Sequence, residues 1–106
     1  MTEVKTSVTF RHVAPTDALK RYAEEKIHKI GKYFKRPLEA HVVLSVDGRQ
    51  RQVAEVTLQA RGMTIHGREE TDDLYSAIDL LIDKVDQQVR KHKAKTRVRR
   101  RRKVKP

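Results

Sequence analysis

Leu74, Ala77, Ile78, Leu81, Ile82, Val85 and Val89 recur at spacings of three and four, a stripe that only an α-helix turns to one side. A helix with one apolar stripe must lay it on something, and the preceding runs supply the surface. Ala40, Val42, Leu44 and Val46 alternate with His41, Val43, Ser45 and Asp47, and Ala54, Val56, Leu58 and Ala60 again share one face. Over residues 3–10, Val4, Thr6, Val8 and Phe10 alternate with Lys5, Ser7 and Thr9, the period of a half-buried strand. Asp47-Gly48 and Arg61-Gly62 are turn signals, the second leading into a short strand from about Met63 to Gly67. A shorter helical stripe, Leu19, Ala23, Ile27, Ile30 and Phe34, lies between a candidate N-cap, Thr16, and a stop at Pro37. Thr71 is the candidate cap of the long helix, with Asp72 and Asp73 in its first turn.

The order β-α-β-β-β-α predicts an α+β fold, a four-stranded sheet with two helices packed on one face and the other face open to water. Strands one and two are joined through a helix, so if adjacent they run parallel with a right-handed crossover. No internal repeat is present, and the one low-complexity segment is Arg97 to Lys105.

The charge is distributed as unevenly as the apolar residues are regular. Residues 1–89 hold 14 Lys and Arg against 14 Asp and Glu, so the formal charge of +11 resides in residues 90–106, which carry 11 basic side chains and no acid. An α+β domain over residues 1–95, its charge balanced as far as residue 89, followed by a basic disordered tail, residues 96–106, is expected, and the natural partner of such a basic end is a polyanion. Cysteine is absent, which removes disulfides, thiol chemistry and thiolate metal sites and favours the cytoplasm. No segment approaches the roughly 20 apolar residues of a membrane span, so no membrane partner is expected.

On a helical wheel, Tyr22, Lys26, Lys29, Tyr33 and Arg36 share a flank of the first helix, with Lys32 nearby on its outer face. In the second helix Lys84, Gln88, Lys91 and Lys95 fall on one side of the seam, and Asp79, Asp83 and Asp86 on the other. If the two basic flanks line one groove, they form a track for phosphates with aromatic rings for bases. Arg99, Arg100, Arg101 and Arg102 in the tail add contacts that bind without reading sequence.

Catalytic signals are poor, and no enzyme activity, cofactor, metal or small-molecule substrate is expected. His12, His28, His41, His66 and His92 show no ligand spacing, and no Gly-rich phosphate loop or nucleophile elbow is present. Glu69, Asp72 and His66 define the enzyme rival, an RNA-processing nuclease. The binding rival is a generic RNA-binding protein or chaperone acting mainly through its tail. The double-stranded RNA-binding domain shares the β-β-β-α ending but places a basic cluster where this helix begins with acids.

Asp73-Leu74-Tyr75-Ser76-Ala77-Ile78-Asp79, Leu81-Ile82-Asp83-Lys84-Val85 and Gln88-Val89-Arg90-Lys91-His92-Lys93 resemble the signature helix of the ribosome hibernation-promoting factor and ribosome-associated inhibitor family. Thr16-Asp17-Ala18-Leu19, Tyr22, Glu25-Lys26, Lys29 and Tyr33-Phe34 are similar to its first helix, and Gly62 to His66 to its last strand, so the resemblance covers roughly residues 3–95. It implies a non-catalytic translation inhibitor that binds the small ribosomal subunit. The partner would be the rRNA of the mRNA channel and of the A and P sites, and the outcome ribosome hibernation under stress or in stationary phase. It carries rRNA-binding roles onto Lys26, Lys29, Lys32, Lys84 and Lys91, whereas Gln87 departs from the Arg common in the family. The basic tail differs from the acidic extension of some short members, and the resemblance leaves two expectations: a short form whose arm adds rRNA contacts, or the N-terminal domain of a long form whose basic run begins the linker to a ribosome-pairing domain.

Overall fold

A computed structural model describes residues 4–32, 34, 37–60 and 62–104, with side chains as far as Lys91. Its elements are β1 (Val4–Arg11), α1 (Asp17–Gly31), β2 (Leu38–Val46), β3 (Gln52–Ala60), β4 (Met63–Thr71) and α2 (Leu74–Val104), the order that the apolar periods predict. The sheet order is β1-β2-β3-β4. β1 and β2 are parallel, with Val4 opposite Leu38 and Arg11 opposite Ser45, and the other two pairings are antiparallel.

Register places Ala40, Leu58 and Ile65 in one row, and Val42, Val56 and Gly67 in the next. These rows form one face of the pleat, and Leu19, Ala23, Ile27 and Ile30 of α1 and Leu74, Ala77, Ile78, Leu81, Val85 and Val89 of α2 join them in a single core. Ile27, Leu44, Leu58, Leu81 and Val85 are among the largest fully buried side chains, and burying each contributes about 1.5–3 kcal/mol. α1 lies over β1 and β2, and α2 over β3 and β4.

Local chemistry sets the element ends. The Thr16 hydroxyl accepts from the Leu19 N–H and caps α1 as expected. Ala60 pairs with Met63, and Gly62 between them sits at φ 79°, the left-handed conformation that favours glycine. The β2–β3 loop is longer than its Asp-Gly dipeptide suggests. It spans residues 47–51, with Gln50 rather than Gly48 at positive φ, and the Asp47 carboxylate accepts the N–H groups of Arg49 and Arg51. Those two bonds hold the Asp47 carboxyl below its ordinary pKa.

Two expectations need correction. β4 does not end at Gly67 but runs to Thr71. Gly67 is where α2 approaches closest, since a Cβ there would lie 2.8 Å from Leu81 Cδ1 and 3.3 Å from Val85 Cγ2. The cap of α2 is Asp73 rather than Thr71: its carboxylate accepts from the Ser76 N–H at 3.1 Å, while the Thr71 hydroxyl holds the Asp73 N–H. α2 itself continues to Val104. Straight-chain Lys and Arg are good helix formers, cations suit a helix C-terminus, and no Gly or Pro falls between Arg68 and Lys105.

Candidate nucleic-acid interface

β1 and β4 point the same way, and each helix returns antiparallel to its strand: the end of α1, Gly31, meets Val4, and Leu81 and Val85 of α2 meet Gly67. The two helices are therefore parallel to each other, and their C-terminal directions coincide. Lys29 in the last turn of α1 and its C-cap Lys32 are exposed where the helix dipole favours cations, and Gln88 and Lys91 are exposed midway along α2.

The contact between the helices is built on Tyr22. Its hydroxyl donates to Asp79 Oδ1 at 2.5 Å, and its ring meets Tyr75 edge-on with centroids 5.0 Å apart. The Lys26 ammonium stands 5.3 Å from the Tyr22 ring centre and 3.5 Å from Asp79 Oδ1, so one carboxylate serves both a hydroxyl and a cation. The hydrogen bond to Asp79 chiefly, then burial and the Asp79 charge, pushes the Tyr22 hydroxyl up to about 12.

Lys84 lies on the opposite side of α2. Its ammonium is 2.6 Å from Glu69 Oε1 of β4, a carboxylate only 16% exposed. The flank of α2 that faces α1 is thus the acidic one with Asp79, and the Lys84, Gln88 and Lys91 flank overhangs the β4 edge. The single groove between two basic flanks is not what the fold builds, because α1 sits beside β3's neighbour β2 rather than beyond β4. The cations instead form two strips across the helical layer, Lys26 and Lys29 at the interhelical groove and Lys84 and Lys91 at the outer edge. Among the described residues, Lys29 and Lys91 make no ion pair. Arg36 lies outside the described residues, as do the side chains of Lys95, Arg99, Arg100, Arg101 and Arg102.

The acidic run before α2 is consumed structurally. Glu70 pairs with Arg51 and Arg68, Asp72 with Arg51, and Asp73 caps the helix. Glu69 and His66 project from opposite faces of β4, since they are three residues apart in a pleated strand. The nuclease constellation of Glu69, Asp72 and His66 is therefore not assembled. His66 instead contacts the Thr57 hydroxyl, and His41 the Ser7 hydroxyl, in one row across the open face of the sheet. No group of three or more potential ligands gathers for a metal among the described residues.

The roles of Asp79 and Glu69 as lysine partners were not legible in the sequence. The one signal was the position of Asp79 a turn beyond Tyr75 on the flank opposite Lys84.

Fold and site together define a small α+β domain that presents lysine side chains from a two-helix layer. The chain belongs to the family described as Sigma 54 modulation protein / S30EA ribosomal protein, whose pattern matches residues 6–97. It is 42% identical over 80 residues to the ribosome hibernation promoting factor of Azotobacter vinelandii, covering 76% of this chain and 74% of that protein. It is also 36% identical over 94 residues to the ribosome hibernation promotion factor of Lactococcus lactis subsp. cremoris, covering 87% of this chain but 51% of that protein, so it spans about half of that relative. Among solved structures, the Thermus thermophilus Protein Y N-terminal domain superposes with a TM-score of 0.76 at 32% identity, covering 85% of this chain and 98% of that one.

Proposed function

We propose that this protein is a non-catalytic ribosome hibernation factor that occupies the mRNA and tRNA channel of the small ribosomal subunit and keeps mRNA and tRNA out by its bulk. Phosphates of the channel rRNA contact Lys26, Lys29, Lys32, Lys84 and Lys91, with Gln88 and Tyr22 beside them and Arg36, Lys95 and Arg99 to Arg102 adding charge. The observation that carries this reading is the two strips of lysine on one helical layer in a chain of this family. Steric occupation needs positioned charge and shape, and no chemistry. A ribosome partner places the protein in the cytoplasm, and no described helix is long and apolar enough to cross a membrane.

The test is translation of a reporter mRNA by purified components at physiological salt. Inhibition that recedes when mRNA is raised, with rRNA left intact, is the expected result. Inhibition insensitive to mRNA concentration, or accompanied by rRNA cleavage, would contradict it. The tail supports a second reading, a generic RNA-binding protein, because 11 cations in residues 90–106 bind any polyanion.

A further inference from the structure

Two of the five lysines assigned to RNA contact are already held by carboxylates of the same chain, and by carboxylates on different elements. Lys26 on α1 is bound to Asp79 on α2 at 3.5 Å, and Lys84 on α2 to Glu69 on β4 at 2.6 Å. Neither acid is idle ballast on a wet surface. Asp79 is also fixed by the Tyr22 hydroxyl, and Glu69 projects from the inner face of the sheet toward α2. Lys29 and Lys91, one turn or two further along the same helices, have no such partner among the described residues.

We propose that Asp79 and Glu69 are selectivity-determining residues, which mask Lys26 and Lys84 against RNA in general while aiming them at phosphates in one fixed geometry. The proposal rests on the hibernation reading for the identity of the preferred RNA, but the masking is a property of the chain alone. A neighbouring carboxylate repels any approaching phosphate and cancels the charge that non-specific binding depends on. The same pairing limits where a flexible four-carbon side chain can point. An ammonium has three donors, so a paired lysine still offers N–H groups, and these suit an RNA whose phosphate lies where they are aimed. Free lysines accept phosphates from any direction. The pairs thus lower affinity for arbitrary RNA more than affinity for a surface of matching shape.

Asp79→Asn and Glu69→Gln test this, singly and together, in the full chain. Asparagine retains an oxygen that accepts from Tyr22, and glutamine retains the length of Glu69, so thermal melting verifies that each variant is folded. Binding is measured to a short RNA duplex, to poly(U) and to isolated small subunits across a salt series. Each substitution is expected to raise affinity for duplex and poly(U) about two- to fivefold and to steepen the log-log salt slope by about 0.7–0.9 per unmasked lysine. Small-subunit affinity is expected to rise less, so the ratio of subunit to duplex affinity falls. Unchanged duplex affinity and slope would overturn the masking, and a rise shared equally by duplex and subunit would overturn the selectivity. Failure of the hibernation reading is separately visible, as a wild-type protein without preference for the small subunit.

Discussion

Tyr22 and Asp79, 57 residues apart in sequence, are joined by a 2.5 Å hydrogen bond that bridges the two helices. It ties the flank of α1 that carries Lys26 to the acidic flank of α2, and so fixes which side chains face each other across the groove. Its removal in Tyr22→Phe keeps the ring contact with Tyr75 but loses a hydrogen bond to a charged acceptor, for which about 1.5–3 kcal/mol is the ordinary range. The partly open site places the expected loss at the low end, read as a lower midpoint in urea unfolding.

The same bond gives stability a pH dependence of defined sign. The Tyr22 pKa is raised from 10.0 to about 12, so the folded protein holds the phenolic proton more tightly than the unfolded chain. The stabilisation is fully present below pH 10 and is lost as pH rises toward 12. The gap in stability between wild type and Tyr22→Phe is expected to close over that window. Ultraviolet titration of tyrosinate supplies the direct reading: one tyrosine ionising only as pH approaches about 12 in wild type, and moving back toward the ordinary value in Asp79→Asn, where the acceptor is neutral. A gap independent of pH would contradict the assignment.

Gly67 sets how close α2 can lie to β4. Substitution by Ala brings a Cβ to 2.8 Å from Leu81 Cδ1, and overpacking of this kind costs about 1–3 kcal/mol. Gly48 has nothing within 4 Å of the equivalent position, so Gly48→Ala is expected to stay within about 0.5 kcal/mol. Equal effects at the two glycines in chemical denaturation would contradict the close approach of α2.

Lys29 and Lys91 are the cleanest probes of RNA contact, because both are exposed and neither makes an ion pair among the described residues. Reversing both to Glu is expected to weaken small-subunit binding at least tenfold, an order-of-magnitude expectation for two lost phosphate contacts, with a thermal midpoint close to wild type. Reversing Lys84 is a poorer test of binding alone, since it sets a second carboxylate against Glu69.

Much of this was legible in the residues, and the limits are physical. The Leu74 to Val89 seam and the alternation of Ala40 to Val46 and Ala54 to Ala60 determine which faces are apolar, and through them the layers and the core. A glycine inside a strand carries no periodic signal, so Gly67 reads as an end when it is a point of close packing. Thr71 and Asp73 are both capping residues, and only backbone geometry selects between them. A wheel shows which side chains share a flank of one helix but not which neighbour that flank meets. Lys26 and Lys84 were therefore recognisable as candidates, while their carboxylate partners on other elements were not.

The tail and the helices make separable contributions. Deletion of residues 97–106 removes seven of the 25 Lys and Arg and is expected to flatten the salt dependence while preserving a preference for the small subunit. Loss of nearly all binding would favour the generic RNA-binding reading.

The central claim is channel occupation, and co-sedimentation tests it most directly. The full chain is spun at physiological salt with small subunits, large subunits or free duplex RNA, each with and without an mRNA competitor. Saturable binding to the small subunit that mRNA displaces is the predicted result; equal, salt-labile binding to all three would contradict it.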